Sequence, residues 1–511
     1  MAIIESVSEN QGKKVFSLAK PSDKKPLYDI ACQTKDEVHA IIAKAKQAQK
    51  AWAALPVTDR VKHLLNLRDV IVDQQDRIME TIINETGKAK QDALMVEVYT
   101  VAAFITYWCK QAAKSLKPET SRASGIMGFT KKVHVHYKPL GVIGVIAPWN
   151  GPFVLTANPC IQAMLAGNTV VAKGSEITPF CSKILEELCL EAGIPEGVCQ
   201  VLIGDGATGD ALITGGVNKI SFTGSVATGK KVASRCLETM TPYTLELGGK
   251  DAMIVCADAE LDDAVHAAVW GSCVNTGHYC CGIERIYVHE SIYHDFVSKA
   301  VEMTNNMRVG SEYGVDEDMG AVFSEQQMAI IERHVADAVD KGGKVLSGGK
   351  RLDKQGLYYP PTVVVDTDES SSLISEETFG PVLPIIKVAS DQEAIAKANA
   401  SKYGLHGSVW TKNKQKGIDI AKQLETGSIA INDIGMMYGI ANAPFGGVKE
   451  SGLGSVNGKH GLRGYCHAMP ILVGRYSGKD SGYPHNEKDF ENMKKMMHFM
   501  WKTTLGRLFF G

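Results

Sequence analysis

Apolar residues in the first part of the chain recur every three or four positions, the spacing of one face of a helix. The first such face follows Thr34 and Glu37, which form a T-x-x-E capping box, a common helix start. It consists of Val38, Ile41, Ile42 and Ala45. A second run, near residues 95–116, is apolar on most sides. We predict two helices here and expect the second to be buried.

Beyond residue 140 the pattern changes to short apolar runs that alternate with helical segments. GVIGVIAP, NTVVAK, VCQVLIG and KISFTG each have the length and composition of a buried strand. Between the second and third, a helix begins after Thr178 with Pro179 in its first turn, and Gly193 and Pro195 end it. This alternation predicts an α/β fold with a doubly wound parallel sheet of the nucleotide-binding type. A second α/β stretch follows LELGGK and extends to about residue 443.

Two further strands and a tail lie outside these stretches. KVHVHYKP (132–139) and YCHAMPILVG (465–474) form either an arm between subunits or a surface hairpin. The tail has one apolar helix face with lysines and an arginine at other positions, so three roles stay open. It packs on its own subunit or a neighbour, lies on a membrane surface, or gates a tunnel. The face consists of Phe490, Met493, Met497, Met500, Trp501, Leu505 and Leu508.

Composition and charge narrow the class of protein. The chain has 511 residues and a formal net charge of −2, which gives no electrostatic reason to expect a nucleic-acid partner. Its 12 cysteines include no CxxC pair and no paired metal-ligand spacing, so we expect reduced thiols and no metal site. No secretory h-region and no run of 18 apolar residues occur. We expect a cytoplasmic protein, and the tail leaves peripheral membrane contact open.

Three residues carry candidate chemistry for a reaction at a carbonyl group. Cys280 in NTGHYCC follows a glycine, and a cysteine thiolate is a strong nucleophile, whereas we expect Cys281 to be a small core residue. Glu246 lies between leucines in TLELGGK, where burial would raise its pKa and favour a role as general base. Asn150 closes a buried strand, and its amide can donate to an oxyanion.

Two loops carry candidate groups for binding a nucleotide. KISFTG ends in GSVATG before a helix, so backbone N–H groups and the positive helix end can meet a phosphate. Lys173 and Glu176 follow NTVVAK, at the end of a strand where a doubly wound sheet binds ligands and where they could hold a ribose. Taken alone, the first loop is equally compatible with a plain structural turn. The second pattern, taken alone, more often marks a solvated loop.

The order of the motifs is more specific than any one of them. PWN, VVAKGSE, FTGS, LELGGK, NTGHYCC, EETFGPV and PFGGVKESGLG follow one another along the chain. Together they closely resemble the NAD(P)-dependent aldehyde dehydrogenase superfamily, over roughly residues 15–475. The resemblance implies an aldehyde dehydrogenase-like α/β fold and a homodimer or homotetramer. The implied parts are an NAD-binding domain (1–118 and 140–247), a catalytic domain (248–443), a β oligomerisation arm (119–139 and 464–476) and an amphipathic extension (477–511).

The resemblance also implies a role for each matching residue. Cys280 is the expected nucleophile, Glu246 the general base, and Asn150 with the backbone N–H of Cys280 the oxyanion hole. The implied reaction oxidises an aldehyde to a carboxylic acid through a thiohemiacetal and a thioacyl-enzyme. Glu176 would repel a 2′-phosphate, which favours NAD, and use of NADP stays open. The implied cofactor-binding residues are Trp149, Lys173, Glu176, Gly224, Ser225, Glu377 and Phe379.

Three positions depart from the pattern of the family. His278 stands where a glutamine is common, and it either fills the same space or tunes the thiol. Gly151 replaces a large aromatic residue, and Asn158 stands where several relatives carry tryptophan. Both replacements predict a wider substrate funnel and a bulky or hydrophobic aldehyde, unless Tyr279 refills the space.

Overall fold

A computed structural model describes residues 3–10, 12–434, 437–475 and 483–510 of the chain. The chain divides into two compact units, one formed by residues 1–115 and 139–465 and the other by residues 116–138 and 466–511.

The described residues form strands and helices that we number in chain order. The strands are β1 (Ile3–Asn10), β2 (Lys13–Ala19), β3 (Pro26–Ala31), β4 (Glu119–Arg122), β5 (Lys131–Pro139), β6 (Val142–Ile146), β7 (Thr169–Lys173), β8 (Cys199–Leu202), β9 (Lys219–Thr223), β10 (Tyr243–Glu246), β11 (Asp251–Val255), β12 (Ile283–His289), β13 (Lys344–Ser347), β14 (Thr362–Val365), β15 (Val382–Val388), β16 (Tyr403–Gly404), β17 (Gly407–Trp410), β18 (Ala430–Ile431), β19 (Val448–Lys449), β20 (Gly452–Leu453) and β21 (Cys466–Gly474). The helices are α1 (Lys35–Ala54), α2 (Val57–Asp73), α3 (Gln75–Thr86), α4 (Lys90–Asp92), α5 (Thr100–Ser115), α6 (Val154–Leu165), α7 (Pro179–Glu191), α8 (Gly206–Thr214), α9 (Val226–Glu238), α10 (Leu261–Cys273), α11 (Tyr293–Asn305), α12 (Glu325–Asp340), α13 (Ser372–Ser375), α14 (Asp391–Asn399), α15 (Lys414–Ala421), α16 (Gly458–Arg463), α17 (Glu487–Lys502) and α18 (Thr504–Phe510).

The first large sheet confirms the predicted doubly wound topology. Its order is β20-β10-β9-β6-β7-β8, and all neighbours are parallel except the edge strand β20, which pairs antiparallel with β10. The chain runs outward from β6 through β7 and β8, then returns to β9 on the other side of β6. The direction in which the chain adds strands to the sheet therefore reverses between β6 and β9. Ligands bind at this point in folds of this type.

Local signals predicted the helix starts well. Thr34 accepts a hydrogen bond from the backbone N–H of Glu37 while the Glu37 carboxylate accepts one from that of Thr34, so the capping box of α1 is confirmed. Helix α7 begins at Pro179 after Thr178, although the Thr178 side chain makes no capping hydrogen bond.

The predicted second helix is interrupted by an unexpected turn. Ala93–Tyr99 is π-helical, and α5 continues from it. Within the described residues, Lys90–Ser115 is the one helical stretch long and apolar enough to cross a membrane, and 56% of its most apolar window is buried inside the protein. Buried side chains of α5 include Phe104 and Trp108, so the stretch is a core helix of this unit, as expected.

A second sheet follows the first along the chain. Its order is β13-β14-β15-β12-β11-β17-β18, and its pairs are parallel except for the edge pair β13–β14. The change from one sheet to the other occurs between β10 and β11, close to the predicted boundary at residues 247 and 248. The domain boundaries themselves stay a prediction.

The second unit contains both strands that the sequence placed outside the α/β stretches. They are β5 and β21, and with β4 they form a three-stranded sheet of order β21-β5-β4. The tail is helical in α17 and α18, as predicted. Of its apolar face, Met500 is buried, and the other members stay exposed: Phe490, Met493, Met497, Trp501, Leu505 and Leu508.

Candidate active site

Cys280 lies in a tightly folded loop after helix α10. A short 3₁₀ turn at Val274–Gly277 follows the helix, and Asn275 and Thr276 both adopt positive φ, 54° and 57°. Such backbone conformations cost energy in residues other than glycine and cluster at functional sites. Cys280 is half-buried, whereas Cys281 is only 2% exposed, so the expectation that Cys281 is a core residue is confirmed.

Asn150 is tied to the same loop by two hydrogen bonds. It follows β6, is 5% exposed, and its Nδ2 donates to the carbonyl oxygen of His278 at 3.1 Å. The second comes from Asn275, whose Nδ2 donates to the carbonyl oxygen of Asn150 at 2.9 Å. The same Nδ2 also donates to the carbonyl oxygen of His278 at 2.8 Å, within the loop itself. The predicted oxyanion donor and the predicted nucleophile therefore share one rigid hydrogen-bonded frame.

Two cavities meet at this frame. The first, of about 210 Å³, and the second, of about 310 Å³, both have Asn150 and Cys280 in their walls. The first is largely apolar and is lined further by Met95, Val96, Tyr99, Gly151, Val154, Leu155, Tyr279, Tyr438 and Ile440. The second is lined further by Trp149, Gly224, Ser225, Gly248, Glu377 and Phe379. Cys280 thus lies in the walls of two cavities, each of which could hold a ligand.

Glu246 lies at the end of β10 and is only 4% exposed. Neither of its carboxylate oxygens has a hydrogen-bond partner among the described residues. Burial raises the pKa of this carboxyl well above its usual value, and the negative charge of a Cys280 thiolate raises it further. The nearby backbone N–H of Val456 lowers this pKa, but it is not a partner of the carboxylate, because it already donates to the carbonyl oxygen of Phe445 at 2.8 Å. A carboxyl group with these properties is a candidate general base, although Glu246 is not in the described walls of either cavity.

The surroundings of Cys280 raise the pKa of its thiol. Its contact with the Cys281 thiol is the largest cause that raises its pKa well above the usual value, and burial adds to it. Among the described residues, no cationic side chain has a main influence on the pKa of Cys280. The thiol therefore needs a base, or a change on ligand binding, to become a strong nucleophile.

The second cavity opens at the point where the first sheet reverses direction. Trp149 follows β6, while Gly224 and Ser225 follow β9 and lead into α9. Ser225 caps this helix, because its hydroxyl accepts a hydrogen bond from the N–H of Thr228. A Cβ at Gly224 would lie 2.7 Å from the Phe222 ring, so only glycine fits there. The free N–H groups at this helix start suit a phosphate.

Lys173 is the last residue of the neighbouring strand β7, and Glu176 follows three residues later. Lys173 Nζ and Glu176 Oε2 are 3.4 Å apart, and the glutamate is partly exposed. Neither residue is in the described wall of the second cavity, although the cavity residue Trp149 follows the adjacent strand β6. The expected ribose site is therefore beside the cleft rather than in its deepest part.

The loop that contains EETFGPV closes the other wall of the second cavity. Glu377 Oε1 accepts a hydrogen bond from the N–H of Gly249 at 2.9 Å. Burial, followed by the nearby Glu284 carboxylate, raises the pKa of Glu377 to about 8. Phe379 has a positive φ of 52°, and its ring meets the ring of Trp149 edge to face at 5.5 Å. Both predicted nicotinamide contacts therefore face the cleft.

Asn158 does not itself line the first cavity, so its effect on the width of the funnel stays a prediction. Its side chain is fully buried and is not in the described wall of the first cavity. Instead, its Nδ2 donates to Asn457 Oδ1 at 2.9 Å and to the hydroxyl of Tyr438 at 3.3 Å. Gly151 does line the cavity, as expected, and so does Tyr279. The polar network of Asn158 supports a wall residue, Tyr438, from behind.

His278 packs rather than titrates near neutral pH. It is fully buried, and its ring lies 4.3 Å from the ring of Phe323 and 5.3 Å from that of Trp149. Burial lowers its pKa to about 3, so the imidazole is neutral. These contacts favour the space-filling interpretation of this substitution over thiol tuning.

Sequence reasoning missed two residues behind the Asn150 loop, Lys88 and Glu97. Their side chains form a fully buried ion pair, with 2.6 Å between Lys88 Nζ and Glu97 Oε1. The one signal in the sequence was an acidic residue inside an otherwise apolar helical run.

As to metals, the described residues contain no group of three or more His, Cys, Asp or Glu side chains that could hold an ion.

Comparison with known proteins agrees with this arrangement. A family model described as the aldehyde dehydrogenase family matches residues 7–471. A Mycobacterium ulcerans protein assigned as succinate-semialdehyde dehydrogenase (NADP(+)) 2 is 37% identical over 458 residues, 89% of this chain and 88% of its own. The 4,4′-diapolycopene aldehyde oxidase of Methylomonas sp. is 35% identical over 463 residues, 90% of this chain and 86% of its own.

A solved structure gives the same result for the fold. The Mycobacterium tuberculosis aldehyde dehydrogenase complexed with NAD+ superposes with a TM-score of 0.85 at 32% identity, covering 90% of this chain and 94% of that one. The chain belongs to the aldehyde dehydrogenase family. It is an oxidoreductase that acts on aldehydes.

Proposed function

We propose that the chain oxidises an uncharged, hydrophobic aldehyde to the carboxylic acid with NAD(P)+. The supporting observation is that Cys280 and Asn150 lie in the walls of both cavities, so an aldehyde on one side and a dinucleotide on the other can meet at one thiol. The residues around the second cavity suit the dinucleotide. Ser225 and the start of α9 would hold its phosphates, Lys173 and Glu176 its adenosine ribose, and Glu377, Phe379 and Trp149 its nicotinamide end.

The reaction begins with the thiolate of Cys280, which forms when the thiol releases its proton to water. Its sulfur forms a bond to the aldehyde carbon, and the electron pair of the carbonyl π bond moves to the oxygen. An asparagine amide has two N–H donors, and Asn150 gives one to His278. The second can donate to the developing oxyanion together with the backbone N–H of Cys280. Removing one such donor elsewhere costs roughly 3–4 kcal/mol, so Asn150→Ala should lower the rate about a hundredfold or more.

The later steps need an acceptor and a base. When bound, the nicotinamide cofactor would supply a hydride acceptor. The former aldehyde carbon loses its hydrogen with the electron pair of that bond, and an electron pair on the oxyanion re-forms the carbonyl, which leaves a thioester on Cys280. Glu246 then accepts a proton from water, and the oxygen of that water bonds to the acyl carbon. The carbon–sulfur bond breaks, the sulfur recovers its electron pair, and the carboxylic acid leaves. A buried, unpaired carboxyl with a raised pKa suits this role.

The walls of the first cavity support a hydrophobic substrate. Its described lining residues include no charged side chain, and most are aliphatic or aromatic. A carboxylate on the substrate, as in succinate semialdehyde, would find no cation there to offset its desolvation. The 4,4′-diapolycopene aldehyde oxidase of Methylomonas is named for a hydrophobic aldehyde and is nearly as similar in sequence. The cavity chemistry thus favours the hydrophobic alternative.

A panel of aldehydes tests this proposal. NADH or NADPH formation should be highest, by kcat/KM, with C8–C12 or aromatic aldehydes and lower with acetaldehyde and succinate semialdehyde. Cys280→Ala is the control, since it should abolish formation with every aldehyde. A clear preference for succinate semialdehyde would contradict the substrate class. Equal activity in Cys280→Ala would contradict the mechanism, and no activity with any aldehyde would favour a binding role for this fold.

We further propose that the chain acts in the cytoplasm as a homodimer or homotetramer, with β5 and β21 as the arm. The described cysteines form no disulfide, which suits a reducing compartment. For the tail, exposed fractions of 65% for Phe490 and 51% for Trp501 support a partner outside its own subunit. The alternatives are a neighbouring subunit and a membrane surface. Removing residues 486–511 and measuring both the assembly size and sedimentation with anionic liposomes separates them.

A further inference from the structure

The oxyanion donor Asn150 is supported from behind by charges that take no part in the proposed chemistry. Lys88 and Glu97 are both fully enclosed, with no exposure of either side chain. Burying two charges is costly, and an ion pair of this kind is often no more stabilising than apolar residues of the same volume. A pair in such a place therefore calls for a reason other than stability alone.

The hydrogen bonds of the pair reach the two ends of one short segment. Lys88 Nζ donates to Glu97 Oε1 at 2.6 Å and to the carbonyl oxygen of Asn150 at 3.2 Å. Glu97 Oε2 accepts hydrogen bonds from the N–H of Phe153 at 3.1 Å and of Val154 at 2.8 Å. The pair thus spans residues 150–154, from the oxyanion donor to the first turn of α6. It also satisfies N–H groups that a helix start leaves without intrahelical partners.

The local backbone explains how these side chains reach the site. Gly87 ends α3 with a φ of 69°, and this turn directs Lys88 into the protein. Glu97 lies in the π-helical segment Ala93–Tyr99, whose residues Met95 and Tyr99 line the first cavity. π-Helical turns are rare and occur often at functional sites. One short segment therefore provides both the cavity wall and the buried carboxylate.

We propose that Lys88 and Glu97 are positioning residues that fix the Asn150 amide at the place where the oxyanion forms. This inference rests on the proposed function, because it needs Asn150 as an oxyanion donor. The Asn150 carbonyl accepts from Lys88 and from Asn275, at 3.2 Å and 2.9 Å, so two elements of the fold fix one peptide group. Without Lys88, one of these two supports is lost.

A double-mutant cycle between Lys88 and Asn150 tests the proposal. Lys88→Met should lower kcat about 10- to 100-fold, since small misplacements of catalytic groups have effects of this size. The KM for the cofactor should stay within about twofold. In an Asn150→Ala background, the same change should cost less than about threefold more, because residues that act as one unit are not additive. If the losses of kcat in the two single variants multiplied in the double variant, the inference would be overturned.

Additional variants separate positioning from folding. Lys88→Met with Glu97→Leu removes both charges, so it should regain most of the thermal stability while kcat stays at least about tenfold low. A double variant that regains both stability and kcat would also overturn the proposal. Glu97→Gln keeps the shape, can still accept the two N–H bonds through its amide oxygen, and should retain more activity than Lys88→Met. The opposite order of these two activities would count against the proposal as well.

Glu85 offers a matched control within the same fold. Like Glu97, it is buried and caps a helix start, since it accepts from the N–H groups of Phe180 and Cys181 at 3.0 Å and 2.9 Å. Those residues open α7 rather than the Asn150 segment. Glu85→Gln should therefore lower stability and leave kcat within about twofold. If Asn150→Ala alone leaves the rate unchanged, the proposed function fails, and this outcome is distinct from an additive cycle.

Discussion

Glu246 and Glu97 are two buried carboxylates near Cys280 and Asn150, and they differ in their hydrogen bonding. Glu97 pairs with Lys88 and accepts two backbone N–H bonds. Glu246 has no hydrogen-bond partner for either oxygen among the described residues. Buried polar groups are nearly always hydrogen-bonded, so the satisfied group fits a structural task and the unsatisfied one is an exception that needs a reason. The general-base role that we propose for Glu246 supplies such a reason, because a carboxylate that takes a proton from water must keep an oxygen free of other donors.

We therefore expect Glu97 to contribute to stability and Glu246 to contribute to reactivity. Removing Glu97 would leave a buried ammonium without its partner, which is strongly destabilising. Removing the charge of Glu246 takes away a group that the fold holds at a cost, so stability should be unaffected or improve. Each change should show mainly one effect, and measuring both effects for both residues tests the comparison.

The largest expected effect is the loss of turnover in Glu246→Gln. Without the base, hydrolysis of the thioester should slow, and general-base catalysis contributes about 10²- to 10⁴-fold. The first turnover should survive, so rapid mixing should show a burst of about one NADH per active site followed by a slow phase. Added hydroxylamine, which attacks the thioester without a base, should restore turnover. A variant with no burst would indicate that Glu246 acts before the thioester forms.

The next effect is on stability and is expected for Glu97 alone. Glu97→Leu should lower the free energy of unfolding by about 3–5 kcal/mol, the usual result of removing one member of a buried ion pair. Glu246→Gln should change it by less than about 1 kcal/mol, in either direction. Denaturant midpoints at one protein concentration measure both variants. Similar losses in the two variants would contradict the distinction drawn here.

The sequence could predict Glu246 but not the Lys88–Glu97 pair, for a physical reason. Glu246 and Cys280 lie in motifs whose order along the chain is specific, and Thr34 and Glu37 cap a helix through neighbours three positions apart. A lysine in ETGKAK looks solvated, because its burial depends on α3, the π-helical segment and the Asn150 loop meeting in space. Contacts of that kind leave no local pattern.

Asn158 shows a second limit of sequence patterns. All residues of α6 are buried, so the helix has no polar face to indicate which side meets the funnel. The position looked like a wall of the cavity, but it faces Asn457 and Tyr438 instead. The π-helical segment was missed for a related reason, since apolar spacing of three or four residues does not distinguish it from an ordinary α-helix.

The pH dependence sharpens the comparison in a smaller range. Because burial raises the pKa of Glu246, the rate of thioester hydrolysis should rise with pH as the carboxylate forms. The native state then binds this proton more tightly than the unfolded state. The contribution of Glu246 to the free energy of unfolding is complete below the pKa that this carboxyl has in the unfolded chain. The contribution is lost as pH rises through the pKa of the folded state, by about 1.4 kcal/mol per unit of pKa difference.

Glu246→Gln should remove the slope of the slow phase and reduce the pH dependence of stability by the share of this one group, since other buried carboxyls such as Glu377 also have raised pKa values. pH–rate profiles of the slow phase and denaturation at several pH values would detect both changes. The pKa of Cys280 is also raised, so the burst itself should keep its own dependence on pH in this variant. If the slow phase and the burst both lost their dependence on pH in this variant, one coupled group would control both. That result would contradict separate roles for Glu246 and Cys280.

Glu176 is a third carboxylate and extends the comparison to the surface, where the expected effect is smallest. Its oxygen lies 3.4 Å from Lys173 Nζ, and the group is partly exposed, so water and salt screen its charge. Glu176→Gln should raise kcat/KM with NADP+ relative to NAD+ by about fivefold, in line with the modest energies of exposed charge pairs. The shift should shrink at high salt, whereas the effects at Glu246 and Glu97 should not. A wild-type enzyme that already prefers NADP+, or an unchanged ratio in the variant, would show that this carboxylate does not face the 2′-position.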